Sequence, residues 1–399
     1  MTTLQSKSSH QNTLKKLLIF LFLLIIFYIP SSYILNEKSL NTIFSQTAII
    51  RGFTYNPDKI KIKTISSNKR DILLKTDSYS QDYYNSKTKL YQSLKVFSIN
   101  ESFDSIISDE LNKDIMGFYS IPNKEMYLVL EPHYIFTNLN STQKYLLSHE
   151  FTHYLQDITF DINKTEKKLK LYEEQNTDMT NAYLALLEGD ATFTAMMYIT
   201  NNDISSTEKI ITESVKNIDI TDKHHYIMEV SLFHYYHAPM FVLNSYRKNM
   251  NFDEIDDIYT DLSSFSTSHI FNTETNSYPK KEVTITDEQI TQVETVLKNN
   301  YELIYTKYTP GQWETYLTLS KYIDRIEAME VTSGLLSDSL AFWYNNDENL
   351  GYIYWVSLWQ NSNSANNYSD ILTEYCIKSG QICVIERSED QVTVSIENI

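Results

Sequence analysis

The chain has 399 residues, 42% of them hydrophobic and 13% aromatic, so it can bury a sizeable core and is long enough for two or three subdomains. That composition excludes a disordered chain in spite of a formal charge of −17 at pH 7. Residues 1–16 carry three lysines and no acid, leaving −17 − 3 = −20 on the rest, and so acidic a body repels phosphate backbones: nucleic acid is not an expected partner.

In chain order, Leu17 to Ile29 is an unbroken apolar run behind Lys15 and Lys16, and through Leu35 it reaches the length of a spanning helix. The expectation is a single-pass membrane anchor over 17–35, with the body extracytoplasmic because the lysines precede the run; a cleaved signal peptide, giving a secreted body, is the alternative. Residues 36–110 form an extracytoplasmic region with only weak structural signals. Met116 to Leu130 reads as two strands about a turn at Ile121–Lys124. Asn140, Ser141 or Thr142 can cap a helix reaching about Ile158, a second helix is predicted over Asp178–Tyr198, and a third over about His224–Arg247.

Beyond about residue 275 the character changes, and Trp313, Trp343, Trp355 and Trp359 all fall there. Helical patterns cover roughly 286–305 and 311–330. Ser339–Tyr344 and Tyr352–Leu358 then flank the turn-forming 345–349, a short helix ends near Gly380, and a second hairpin spans 382–396. The aromatic cluster reads as the core of a small α+β subdomain over 276–399, with a carbohydrate platform as the alternative. Cys376 and Cys383 could pair in an oxidising compartment or remain two buried thiols.

The chemistry sits in His149-Glu150-Phe151-Thr152-His153, an HExxH pattern. At 100° per residue, His153 lies about 40° and Glu150 about 100° from His149, while Leu147, Phe151, Tyr154, Leu155 and Ile158 occupy the opposite side. Two imidazoles and a carboxylate therefore share a face whose back is built for burial. A catalytic zinc takes three protein ligands and keeps one open position. The places three and six beyond His153 hold Gln156 and Thr159, not the glycine and histidine of the metzincin pattern. The best third ligand is Glu188, whose helix neighbours Leu184, Ala185, Ala191 and Ala195 make a bare carboxylate costly there without a cation.

HEFTHYLQD followed by LLEGDA resembles a family of largely uncharacterised, membrane-associated zinc peptidases of the gluzincin, or thermolysin-like, type. MGFYSIPNKEMYLVL resembles the hairpin preceding its metal motif, and FHYYHAPMFV with SFSTSHIFN its downstream segments, over about 115–385. His234 departs from the family's proline and Asn272 from its histidine, and Thr192 stands where a thermolysin-like enzyme has a carboxylate behind the metal. The resemblance implies an α+β chain: a zincin-like metallopeptidase core over 111–275 (hairpin, active-site helix and glutamate helix) with the C-terminal subdomain. It implies Zn2+ on His149, His153 and Glu188, and hydrolysis of peptide bonds in extracytoplasmic proteins with Glu150 as general base. Tyr235 and His237 are the candidates for stabilising the oxyanion. Asp157 is placed to orient an imidazole, Asp190 to brace structure, and the strand Glu125–Leu130 to pair with an extended peptide substrate. His133, His224, His225 and His269 read as surface or structural. Two alternatives stay open: a catalytically inactive binding protein on the same fold, and a zinc hydrolase of a non-peptide amide in cell-wall material.

Overall fold

The computed structural model describes residues 38–54, 60–76, 80–107, 115–129, 139–172, 176–216, 224–272, 282–297 and 300–397. The chain is mixed α+β with two sheets. Its first half runs α1 (38–51), β1 (Lys61–Ile65), α2 (Ser67–Thr76), α3 (Gln81–Ser93), α4 (Phe103–Ile106), β2 (Gly117–Ser120), β3 (Glu125–Val129), α5 (Ser141–Phe160), α6 (Ile162–Tyr172) and α7 (Thr177–Ile199). It continues through α8 (Ile204–Lys216), α9 (His225–Leu232), a π-helical turn (Phe233–His237), α10 (Ala238–Asn249), α11 (Asp253–Thr260), α12 (Thr267–Phe271) and α13 (Asp287–Val296). The last part comprises β4 (Glu302–Tyr308), α14 (Gly311–Ser320), α15 (Arg325–Thr332), β5 (Leu335–Asn345), β6 (Leu350–Trp359), α16 (Ser362–Ser379), β7 (Ile382–Ser388) and β8 (Gln391–Glu397).

The small sheet has the order β1-β3-β2, with β1 parallel and β2 antiparallel to β3. The expected hairpin is present, but its second strand lies in the middle of the sheet. Glu125–Val129 is thus paired on both sides and has no edge for a peptide; Leu130 lies outside the described residues. Helix α5 begins where the capping residues placed it, since Asn140 and Gln143 form a reciprocal capping box. Its apolar back, with Leu147, Phe151, Tyr154 and Leu155 buried, packs against the sheet and against α1, where Phe44 stacks on Phe151 at 4.2 Å. Helix α7 is capped by Asn176 and is so widely buried because α5, α10 and α14 all lie against it. The third predicted helix is broken into α9, the π turn and α10.

The large sheet is antiparallel in the order β4-β5-β6-β8-β7. Both predicted C-terminal hairpins are found, with Gly380 ending α16 in the left-handed conformation at φ 71°. The helical pattern at 286–305 holds only to Val296: residues 302–308 are β4, because pairing with β5 outweighs local helical preference at Leu303 and Tyr305. All four tryptophans are at most 4% exposed, so they are core and present no platform. The largest core joins residues from Tyr84 to Ile396. Cys376 and Cys383 are disulfide-bonded, tying the end of α16 to β7.

The membrane assignment is corrected by the structure. Among the described residues no helix is long and apolar enough to cross a membrane, and the stretch 17–35 expected to do so lies outside them. Among the described residues the single-pass localisation has no spanning helix to rest on, and it is not carried further. His133 also lies outside the described residues.

Candidate metal centre

Helices α5 and α7 bring His149, His153 and Glu188 together, with one donor atom from each lying within 4.8 Å of the others. His153 Nε2 is 3.1 Å from His149 Nε2, His149 Nε2 is 3.3 Å from Glu188 Oε2, and His153 Nε2 is 3.7 Å from Glu188 Oε1. Donors held at 2.0–2.2 Å by one tetrahedral ion are about 3.3–3.6 Å apart. The observed separations straddle that range, so the residues fit a zinc ion. A second observation agrees: Glu188 Oε2 is buried and, though close to His149, has no aligned hydrogen-bond donor. Such a carboxylate oxygen is stabilised by a cation.

The close approach of α7 to α10 has a local cause. Gly189, next to Glu188, lies so near α10 that a Cβ there would sit 2.6 Å from the carbonyl carbon of Ala238. Ala238 in turn follows the π turn, a feature often found at functional sites because its extra residue re-aims side chains.

Charge is distributed unevenly over the site. Burial would raise the Glu188 carboxyl, but the charges of His153, His149 and His234 together outweigh burial and hold it down at about 2. Glu150 behaves oppositely. Burial pushes its carboxyl up to about 7, against the charge of His153 and the Tyr119 N–H, which donates to Oε2 at 2.8 Å. Burial also pushes the Tyr145 hydroxyl up to about 12, with Glu188 and Glu150 adding to the rise.

Of the two oxyanion candidates, Tyr235 reaches the site: the charge of Glu188, followed by burial, raises its hydroxyl pKa well above the usual value. His237 lies on the same π turn, but its ring packs against Tyr236 and Phe271, and burial lowers its pKa to about 4. It is His234 whose charge acts on Glu188, a residue that sequence reasoning noted only as a departure.

Asp157 does not orient an imidazole. It accepts the Tyr119 hydroxyl at 2.7 Å and lies 3.4 Å from Lys124 Nζ, bracing the hairpin instead. Gln156 takes that place, its Oε1 lying 2.9 Å from His153 Nδ1. Thr192 stands behind His149 at 3.5 Å from Nδ1, the position noted for its missing carboxylate. Asp190 does brace the structure, in a buried ion pair with Arg51 at 2.7 Å. The histidines read as structural are so placed: His224 pairs with Glu101, His225 lies by Leu317 O, and His269 completes the capping box of α12.

A cavity of about 720 Å³ opens elsewhere, at the N-terminal end of α7, lined in part by Asp178, His269, Gln312 and Asp338. None of His149, His153 and Glu188 lines it. Comparison with known protein families, curated proteins and solved structures finds no match to this chain.

Proposed function

We propose that the chain is a zinc-dependent hydrolase of peptide bonds, with His149, His153 and Glu188 as ligands and Glu150 as general base. The convergence of two imidazoles and a carboxylate at zinc-like spacing carries this reading. A zinc ion there would polarise a carbonyl oxygen and acidify a water. Glu150 is buried, adjacent to the ligands, and tuned near neutrality, which suits it to take a proton from the attacking water and pass it to the leaving amine. Tyr235 keeps its proton and can donate to a developing oxyanion.

The peptide reading draws on β2. Val129 N–H donates to Met116 O, and alternation then turns the backbone groups of Gly117 and Tyr119 away from β3. The Tyr119 N–H meets Glu150 on that outer edge, so an extended chain laid along β2 would pass the base.

The test is zinc analysis of the purified chain together with cleavage of an unstructured protein such as casein. We expect about one zinc per chain and cleavage, with Glu150→Gln retaining zinc while hydrolysis falls about 10²-fold or more. Equal cleavage by Glu150→Gln would overturn the mechanism. Zinc with no cleavage of casein, but hydrolysis of a cell-wall amide, would overturn the peptide assignment and keep the metal.

A further inference from the structure

A buried polar chain leads from His153 to the opposite side of the catalytic helix, and HExxH does not account for it. Gln156 Nε2 lies 2.9 Å from Asp190 Oδ2, 3.2 Å from Leu187 O and 2.9 Å from the Tyr259 hydroxyl. Asp190 Oδ1 accepts from Arg51 Nε at 2.7 Å, and Arg51 also pairs with Asp256 at 2.5 Å. The Arg51 guanidinium is sandwiched between the rings of Phe53 and Phe252, 4.2 Å from each centroid. Gln156 and Asp190 are fully buried and Arg51 is 1% exposed. Desolvating so many polar groups is costly unless they hold one another, and Arg51 Nη1 is the one buried nitrogen of this set without a hydrogen-bond partner.

The chain of contacts settles a proton. A carbonyl and a carboxylate, neither of which can donate, face one end of the Gln156 amide, so that end is the NH2 and Oε1 must face His153. An amide oxygen can only accept, so His153 carries its hydrogen on Nδ1. The lone pair of the neutral ring is then on Nε2, the atom that faces His149 and Glu188. With Asp190 anchored by Arg51 and Tyr259, Gln156 cannot turn over without losing its donors.

We infer that Gln156 is the positioning residue of His153, fixing its tautomer and ring orientation for metal binding, and that Asp190, Tyr259 and Arg51 hold Gln156 in place. This rests on the metal reading above and adds what prepares the ligand. A neutral amide orients the ring through a hydrogen bond without placing another negative charge behind the ion. Arg51, from α1, thereby serves a site more than 90 positions along the chain, outside both metal motifs.

The experiment uses the chain labelled with ¹⁵N-histidine. In the metal-free protein, nitrogen shifts at His153, assigned by its loss in His153→Ala, report the tautomer; zinc affinity is read by competition with a chromophoric chelator. Wild type should show His153 protonated at Nδ1. Gln156→Leu should mix the tautomers and weaken zinc binding about 10–100-fold. A bracing role alone would lower stability without moving the tautomer. Should Gln156→Leu not fold, Gln156→Asn keeps a polar side chain but withdraws the acceptor, and the same two changes are expected. An unchanged tautomer with zinc affinity within twofold of wild type overturns the inference while leaving the metal reading intact. Failure of wild type to bind zinc, or binding indifferent to His153→Ala, overturns the metal reading and this inference with it.

Discussion

Gly189→Ala tests whether the approach of α7 to α10 sets the position of Glu188 in the proposed metal centre. The added carbon would lie 2.6 Å from the Ala238 carbonyl carbon, 2.7 Å from its Cβ and 2.8 Å from its oxygen. Ordinary contact begins at 3.4 Å, so the helices must part by up to 3.4 − 2.6 = 0.8 Å. Exchanging glycine for alanine in a helix interior stabilises by about 1 kcal/mol. Overpacking opposes it by about 1–3 kcal/mol, and two of the three obstructing atoms are backbone, which cannot rotate aside. We expect a net loss of up to about 2 kcal/mol in urea unfolding of the metal-free chain. A second effect follows because Glu188 is the adjacent residue. Metal sites tolerate donor displacements of about 0.2 Å, so zinc affinity should fall as well. A variant stabilised by about 1 kcal/mol with unchanged zinc affinity would refute the packing account, since propensity alone would then have decided the outcome.

Glu188→Ala should abolish tight zinc binding, and full zinc retention by metal analysis would place the third ligand elsewhere. Replacing Cys376 and Cys383 by serine removes a cross-link between residues seven apart, and the chain-entropy relation predicts a loss of about 2 kcal/mol in urea unfolding with zinc affinity unchanged. Asp338 supplies a pH test. Burial pushes its carboxyl up to about 8 from an ordinary 3.8, with Asp178 adding to the rise against hydrogen bonds from Gly311 and Trp355. Between those values the folded chain holds a proton that the unfolded chain releases, so the group's contribution to stability falls as pH rises. Asp338→Asn should therefore gain relative to wild type from pH 5 to pH 7, on the order of 1 kcal/mol per pH unit. A pH-independent difference by urea unfolding would refute the shift.

The sequence alone specifies the helix that carries His149, Glu150 and His153, because capping chemistry at Asn140 and the apolar stripe of Leu147, Phe151 and Leu155 are local properties. It also pointed to Glu188, since a carboxylate among alanines and leucines needs a partner, and to both C-terminal hairpins through their turns. Tertiary structure decided what depends on partners distant in the chain. Residues 302–308 are a strand because β5 pairs with them, and Glu125–Val129 is a central strand because β1, about sixty residues earlier, takes its other edge. Gln156 rather than Asp157 serves His153 because Asp190 and Tyr259 converge on its amide, with Arg51 anchoring Asp190 from behind, an arrangement invisible in the spacing of HExxH. The π turn that brings His234 and Tyr235, rather than His237, to Glu188 is decided in the same way. A helical period says which side chains share a face, whereas which of them meets a ligand depends on how the helices pack.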